Sequence, residues 1–297
     1  MLAVGHAAYD LSFYSSVFPA ENTKVEVQEL VECGGGPAAN AAYLLSSWGT
    51  PTAFAGLIGG DLYGMRILDE FGSVGTDVSL VDIREGHSTP LSAIVISGDN
   101  GNRTIINRKV PARFEIAREV LGLMNPKLLL FDGHELAASL EALALFPDAI
   151  SILDAGSPRA GVMELAGRVD YLAASKRFAL ATAGVPNLDS DQERQTAMHN
   201  LRQQFETNTI VTLGEDGLIA DDGTGFRYLP AFPSEAVDTT GAGDIFHGAF
   251  AYAVLRQMNF AAALEFAAMA GALSARKRGG RSSTPALLEV EKALLHG

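Results

Sequence analysis

The chain has 297 residues, with 22 Lys and Arg against 35 Asp and Glu and a net charge of −13. Hydrophobic residues make up 47% and charged residues 19%, which excludes intrinsic disorder and supplies a large folded core. The acidity excludes a protein built to coat nucleic acid, because phosphate binding needs a basic surface, and it weighs against strongly anionic ligands.

A single cysteine, Cys33, rules out an intrachain disulfide and fits a reducing compartment. Met1–His6 has no basic start and no long apolar run, so no signal peptide is expected and the protein is read as soluble and cytoplasmic. Residues 33–60 carry no charge, but glycines and prolines interrupt them, so they are not one membrane-spanning helix.

Taken in chain order, the first apolar run, Leu2–Gly5, reads as a buried strand. In Ser12–Glu32, apolar and polar residues alternate over Lys24–Val31 in the manner of a strand. Gly34-Gly35-Gly36-Pro37 opens a helix over Ala38–Trp48, with Pro37 in its first turn and Asn40 about one turn in. Thr52–Ile58 is the next buried strand. Ser92–Asn107 reads as two strands, Ala93–Ser97 and Arg103–Asn107, turning through Gly98-Asp99-Asn100-Gly101. The segments 12–32 and 92–107 fit either extra edge strands or a small sheet standing off the body as a lid.

Strands at Lys127–Phe131, Ile150–Leu153, Tyr171–Ala174 and Thr209–Leu213 then alternate with helices such as Leu136–Leu145 and Gln192–Phe205. A second hairpin runs from Leu218–Ala220 to Phe226–Leu229. The alternation predicts an α/β fold with a largely parallel central sheet in a single domain over 1–297. Asp132-Gly133, Asp154-Ala155-Gly156 and Thr212-Leu213-Gly214 sit at strand ends, where parallel sheets bind ligands, although each alone is an ordinary turn.

The most informative segment is Val237–Phe250, in which apolar helix formers directly follow Gly241-Ala242-Gly243-Asp244. Free N–H groups at such a helix start, with the positive end of its dipole, make an anion site. Asp244 is positioned to accept a proton from a substrate hydroxyl, or it merely favours the dipole. The dipole should lower its pKa. A basic run, Arg276-Lys277-Arg278-Gly279-Gly280-Arg281, either terminates a helix or forms a loop beside a nucleotide or cation. The six histidines lack zinc spacing, and His247 reads as a packed residue. Neither a G-x-x-x-x-G-K-[ST] phosphate loop nor a G-x-G-x-x-G fingerprint is present.

Asp238-Thr239-Thr240-Gly241-Ala242-Gly243-Asp244 resembles the C-terminal signature of ribokinase-like carbohydrate kinases of the phosphofructokinase B type. Gly34 to Gly64, ending in Gly59-Gly60-Asp61-Leu62-Tyr63-Gly64, resembles their N-terminal signature, and bacterial sugar kinases such as the sulfofructose kinase group are nearest in look. The resemblance implies a ribokinase-like fold with a β lid and a homodimer through that lid. It also implies ATP- and Mg2+-dependent phosphorylation of a sugar hydroxyl. It assigns Asp244 as base and Gly241, Ala242 and Gly243 as an anion hole, with Asp10, Gly35, Gly36 and Asn40 holding the sugar. It further assigns Thr212, Gly214 and Gly217 to the nucleotide, and Asp238, Thr240, Gly279 and Ser283 to a monovalent cation such as K+. Where many relatives carry Asn-x-x-Glu near magnesium, this chain has Ser175-Lys176-Arg177-Phe178. Arg103, Arg108 and Lys109 are candidates for an anionic substrate tail, or else a solvated hairpin face.

Overall fold

The computed structural model describes residues 1–27, 29–97, 103–109 and 111–296. Its elements begin with β1 (Leu2–Val4), β2 (Ala8–Ser15), β3 (Leu30–Gly35), α1 (Pro37–Ser47), β4 (Ala53–Gly59), α2 (Leu62–Val74) and β5 (Asp77–Arg84). Next come β6 (Leu91–Ser97), β7 (Arg103–Arg108), α3 (Arg118–Leu121), β8 (Leu128–Phe131), α4 (Leu136–Leu145), β9 (Ile150–Ala155) and α5 (Ala160–Ala166). The chain continues through β10 (Tyr171–Ser175), α6 (Lys176–Thr182), α7 (Asp191–Phe205), β11 (Asn208–Thr212), β12 (Leu218–Asp221) and β13 (Arg227–Leu229). Three helices close it: α8 (Ala242–Leu255), α9 (Phe260–Ser274) and α10 (Leu287–His296).

A nine-stranded sheet runs in the order β13-β12-β11-β10-β9-β8-β1-β4-β5, parallel from β11 to β5 with an antiparallel hairpin at the β13 edge. Its central strands are apolar along their length, as burial on both faces requires. One face packs Leu44 and Leu45 of α1, Phe71 of α2, Phe250 of α8 and Phe266 of α9. The other packs Ala142 of α4, Val162 of α5, Phe178 of α6 and Met198 of α7. The predicted α/β fold is therefore present. Among the described residues no helix is long and apolar enough to cross a membrane.

A second sheet, β3-β2-β6-β7, is mixed: β2 pairs with β6 in parallel, and β3 and β7 flank them antiparallel. The two strands expected in Ser92–Asn107 are β6 and β7, and the expected turn Gly98–Gly101 lies outside the described residues. The alternation over Lys24–Val31 misplaces the third strand. Residues 24–27 form no strand and are largely exposed, whereas β3 starts at Leu30 and runs into the glycines. Alternation is common on a solvated segment, while Gly34 and Gly35 pair with Tyr9 and Ala8.

Asp61 joins the two sheets. Its Oδ1 caps α2 from Gly64 N–H at 3.0 Å and accepts the Thr89 hydroxyl at 2.6 Å, while Oδ2 accepts Thr89 N–H at 2.9 Å. Thr89 leads directly into β6. Asp61→Ala should lower the unfolding free energy by about 2 kcal/mol, because it removes a helix cap and the short bond from the buried Thr89 hydroxyl, which keeps only its contacts to the Gly59 backbone. Urea denaturation measures the loss, and a change near zero would show that the cap does not tie the small sheet to the body.

Candidate active site

The chain order reverses about β1, with β8 on one side and β4 on the other, so a crevice opens at the carboxyl ends of these strands. The segments that follow β1, β8 and β9 bring His6, His134 and Arg159 to it. The start of α1 supplies Gly36 and Asn40, the start of α8 supplies Gly241 and Asp244, and the small sheet roofs it with Asp10, Ser92 and Arg103. The half-open cavity is about 280 Å³, a small-molecule size.

Gly241 begins α8 with φ +74°, a left-handed conformation that glycine adopts without strain. A Cβ at Gly243 would meet nothing within 4 Å, so the first helical turn faces open space. N–H groups in that turn lack helical acceptors, so the cavity wall there attracts anions.

Asp244 follows in the same turn. Its Oδ2 accepts Asn40 Nδ2 at 2.7 Å. Its pKa is pushed up to about 7, first by burial and then by the nearby charge of Asp154, against the pull of Asn40 and His247. This corrects the sequence expectation of a lowered value. A helix dipole is weaker here than desolvation beside a second carboxylate. His247 is packed, as expected, and forms an ion pair with Asp154 at 2.7 Å. Burial opposes the charge of His247, but Asp154 outweighs it and raises the pKa.

Asp10 is buried on β2, and burial raises its pKa. A Cβ on Gly35 would lie 2.1 Å from Asp10 Oδ2, and one on Gly36 would lie 2.3 Å from the His6 carbonyl. These glycines therefore let β3 and α1 close around the cavity. Asn40 is gripped on its other side by Arg281, whose Nε donates to Asn40 Oδ1 at 3.3 Å. Arg281 is 2% exposed and pairs with Glu70 at 2.8 Å. Sequence reading placed Arg281 in a basic helix ending or loop, and only the packing makes it a buried strut.

Of the expected sugar and phosphoryl residues, Asp10, Gly36, Asn40, Gly241 and Asp244 line one cavity, with Asp244 bonded to Asn40, while Gly35, Ala242 and Gly243 lie next to these in the chain and outside the lining. Thr212, Gly214 and Gly217 lie apart from its lining, at the carboxyl end of β11, with β10 between β11 and β9. Gly217 has φ +88°, and a Cβ there would lie 2.1 Å from the Leu229 carbonyl, so glycine is required. Ser175, in place of the expected magnesium motif, caps α6 and donates to the Gly156 carbonyl at 2.9 Å. Among the described residues no cluster of His, Cys, Asp and Glu is gathered for a metal ion.

The four cation candidates lie on two loops joined by hydrogen bonds, and among the described residues the buried Thr240 hydroxyl has no partner. Asp238 is fully buried, and its Oδ1 accepts Thr240 N–H at 2.8 Å. Its Oδ2 accepts the Tyr14 hydroxyl at 2.6 Å and Gly279 N–H at 2.9 Å. Ser283 Oγ is committed to the Gly280 carbonyl at 2.7 Å. Asp238 thus links Thr240, Gly279 and Tyr14 through its two carboxylate oxygens. The sequence carries no sign of the Tyr14–Asp238 bond because the two residues are 224 positions apart. It likewise missed His6, His134 and Arg159, which carry no motif.

The pfkB family carbohydrate kinase pattern matches residues 1–287. The ribokinase of Lactococcus lactis subsp. lactis is 27% identical over 300 residues, covering 98% of this chain and 95% of that protein. A nucleoside kinase of Methanothermobacter thermautotrophicus is 27% identical over 305 residues, covering 98% of this chain and 94% of that protein. The crystal structure of the ribokinase from Thermotoga maritima superposes with a TM-score of 0.82 at 26% identity, over 100% of this chain and 99% of that one. An Arabidopsis thaliana ribokinase structure, complexed with ribose and ATP, shares the fold with a TM-score of 0.81 at 23% identity, over 99% and 97% of the two chains.

A carboxyl group that titrates near 7 sets the pH behaviour of this site. If Asp244 must be ionised to accept a proton, kcat/KM should fall about tenfold per pH unit below about 7 and level off above it. Folding favours the protonated form, so the ionised group costs stability increasingly as pH rises from the ordinary carboxylate range through about 7. Asp244→Asn should therefore lower kcat by about 10²–10⁴-fold while unfolding at pH 8 no more easily than the parent chain. Steady-state rates and thermal melts across pH 5–9 read both effects, and a variant with full turnover removes Asp244 from the chemistry.

Proposed function

This chain belongs to the pfkB family of carbohydrate kinases, and we propose that it transfers the γ-phosphoryl group of ATP to a hydroxyl of a sugar or sugar derivative. The observation that carries this reading is the juxtaposition in one cavity of Asp244, poised near pH 7, with the open helix start at Gly241, Ala242 and Gly243. Asp10, Gly35, Gly36 and Asn40 hold the sugar, and the Asn40 bond keeps Asp244 against the reacting hydroxyl. Asp244 takes the hydroxyl proton as the oxygen attacks phosphorus in line. The first-turn N–H groups of α8 stabilise the charge on the transferring group. Phosphoryl transfer has a loose transition state that needs mainly positioning and charge stabilisation, so a modest base suffices.

ATP enters as its magnesium complex and lies toward Thr212, Gly214 and Gly217. The small sheet closes over the sugar and excludes water, which limits ATP hydrolysis. Hydrogen bonds from Tyr14 and Gly279 to Asp238 already hold the loops of the cation candidates together, so the dependence on K+ is expected to be weak. Two copies pair through the small sheet, where Phe18, Leu30 and Ile106 are exposed.

The nearest other reading is a nucleoside kinase, with Phe13 or Tyr14 stacking on the base. Tyr14 is unsuited to it: Arg278 covers its ring at 4.7 Å and its hydroxyl is bound to Asp238. Phe13 is not part of the cavity lining. A non-catalytic sugar or nucleotide sensor would have no need of a carboxyl group tuned to about 7.

ADP release across hexoses, pentoses, sugar phosphates, sulfosugars and nucleosides tests the proposal, with Asp244→Asn as the control. Turnover of a sugar that the variant loses supports it, and turnover of nucleosides alone favours the other reading. Replacing K+ by Na+ or Li+ should change the rate less than about twofold. A large K+ activation would mean that Tyr14 yields its place to the ion.

A further inference from the structure

Two loops meet behind the open start of α8. One is Asp238–Thr240, which runs into the Gly241–Gly243 turn. The other is Arg278–Gly280, which follows α9. They touch where a Cβ on Gly241 would lie 3.1 Å from Gly280 Cα. Both are irregular, so no helical or sheet ladder fixes their shape.

Side chains fix them instead, and the small sheet supplies the main ones. Tyr14 of β2 donates its hydroxyl proton to Asp238 Oδ2 at 2.6 Å and accepts Gly279 N–H at 2.7 Å. One hydroxyl thus bridges the two loops, using its single donor and a lone pair. Asp238 is fully buried, and its other oxygen holds Thr240 N–H at 2.8 Å within the first loop. Arg103 of β7 donates to the hydroxyl of the next residue, Thr239, at 2.6 Å. On the second loop, Arg278 lies over the Tyr14 ring at 4.7 Å and pairs with Glu29, the residue before β3. A Cβ on Gly279 would lie 2.8 Å from Val31 Cγ1, so β3 also presses on this loop.

The grip falls on consecutive residues, 238 and 239, just before the turn. Tyr14 is not part of the cavity lining, so its hydroxyl bears on the loops and not on the sugar. The turn itself has little to restrain it. Two of its three residues are glycines, and a Cβ at Gly243 would meet nothing within 4 Å. Donors that stabilise a transferring phosphoryl group act well only when they are held in place beforehand.

We infer that Tyr14, assisted by Arg103, is a positioning residue for phosphoryl transfer: from the sheet that roofs the sugar it fixes the Asp238–Thr240 loop, and through that loop the Gly241–Gly243 turn. The inference rests on the kinase reading of the cavity. It gives the roof a second task, since the sheet that covers the sugar also shapes the turn that receives the phosphoryl group.

Tyr14→Phe removes one oxygen and keeps the ring beneath Arg278. It should lower kcat about tenfold and change KM for the sugar less than about twofold. Amide hydrogen exchange at Thr239–Asp244 should quicken about tenfold, while the start of α2, capped by Asp61, keeps the parent rate. Asp238→Asn should lower kcat similarly. In that background Tyr14→Phe should cost less than about threefold more, because the two residues act as a unit. Thr239→Val removes the acceptor of Arg103 and should also lower kcat at unchanged KM; it decides the matter if circular dichroism shows Tyr14→Phe unfolded. An unaltered kcat overturns the inference, as does a raised sugar KM at full kcat, which would make Tyr14 part of the sugar site. Fully multiplicative losses in the double variant also overturn it, by separating Tyr14 from Asp238. If the parent chain turns over no sugar, the kinase reading fails on its own. Hydrogen exchange then decides: quickening confined to the two loops and the turn supports the linkage, and unchanged exchange overturns it.

Discussion

The floor of the cavity depends on one buried carboxylate gripped by backbone N–H groups. Asp132 Oδ2 accepts His6 N–H at 2.8 Å and Ala38 N–H at 3.3 Å, and Oδ1 accepts His134 N–H at 3.0 Å. These donors belong to the link after β1, the start of α1 and the link after β8. One side chain thus sets the distance between three segments that carry His6, Asn40 and His134. A Cβ on Gly5 would lie 2.3 Å from Asp132 Oδ1, so the neighbouring strand has no room for a side chain. Burial raises the pKa of Asp132 while the N–H donors pull it down. The backbone dipoles of the site itself are what hold this group in place, so site geometry and the charge state of Asp132 cannot vary independently.

A second chain of contacts repeats this logic from the opposite wall. Glu70 holds Arg281, Arg281 holds Asn40, and Asn40 holds Asp244. Glu70 also accepts Gly34 N–H at 3.0 Å, which ties the chain to β3. Each member restricts the next to one arrangement, and the last is the carboxyl proposed as the base. Pre-organisation of this kind removes reorganisation from the reaction step.

The sequence disclosed what local pattern controls. The inner parallel strands are short apolar runs between helices, and all six expected in the body occur within a residue or two of their predicted places. The residues expected to meet sugar and phosphoryl group cluster, apart from Asp10, in two contiguous segments around Gly34–Asn40 and Asp238–Asp244, and both segments reach the cavity. What stayed hidden depends on distant contacts. β2 and β5 mix polar and apolar residues and were not read as strands. The pKa of Asp244 moved opposite to expectation because a sequence shows the helix start but not Asp154 beside it. Arg281 looked like part of a helix ending because a basic run reveals nothing about which member is buried.

The two sheets divide the labour at the cavity. Asp244, the Gly-Ala-Gly turn and Asn40 belong to the nine-stranded body, while Arg103, Arg108 and Asp10 ride on the four-stranded sheet. The roof is joined to the floor by a few identifiable bonds, such as Asp61 to Thr89 and Tyr14 to Asp238. Substitutions on the roof can therefore change which molecule is accepted while leaving the reacting groups and their supports untouched. In evolutionary terms, the roof and the floor can vary separately, because few side chains belong to both.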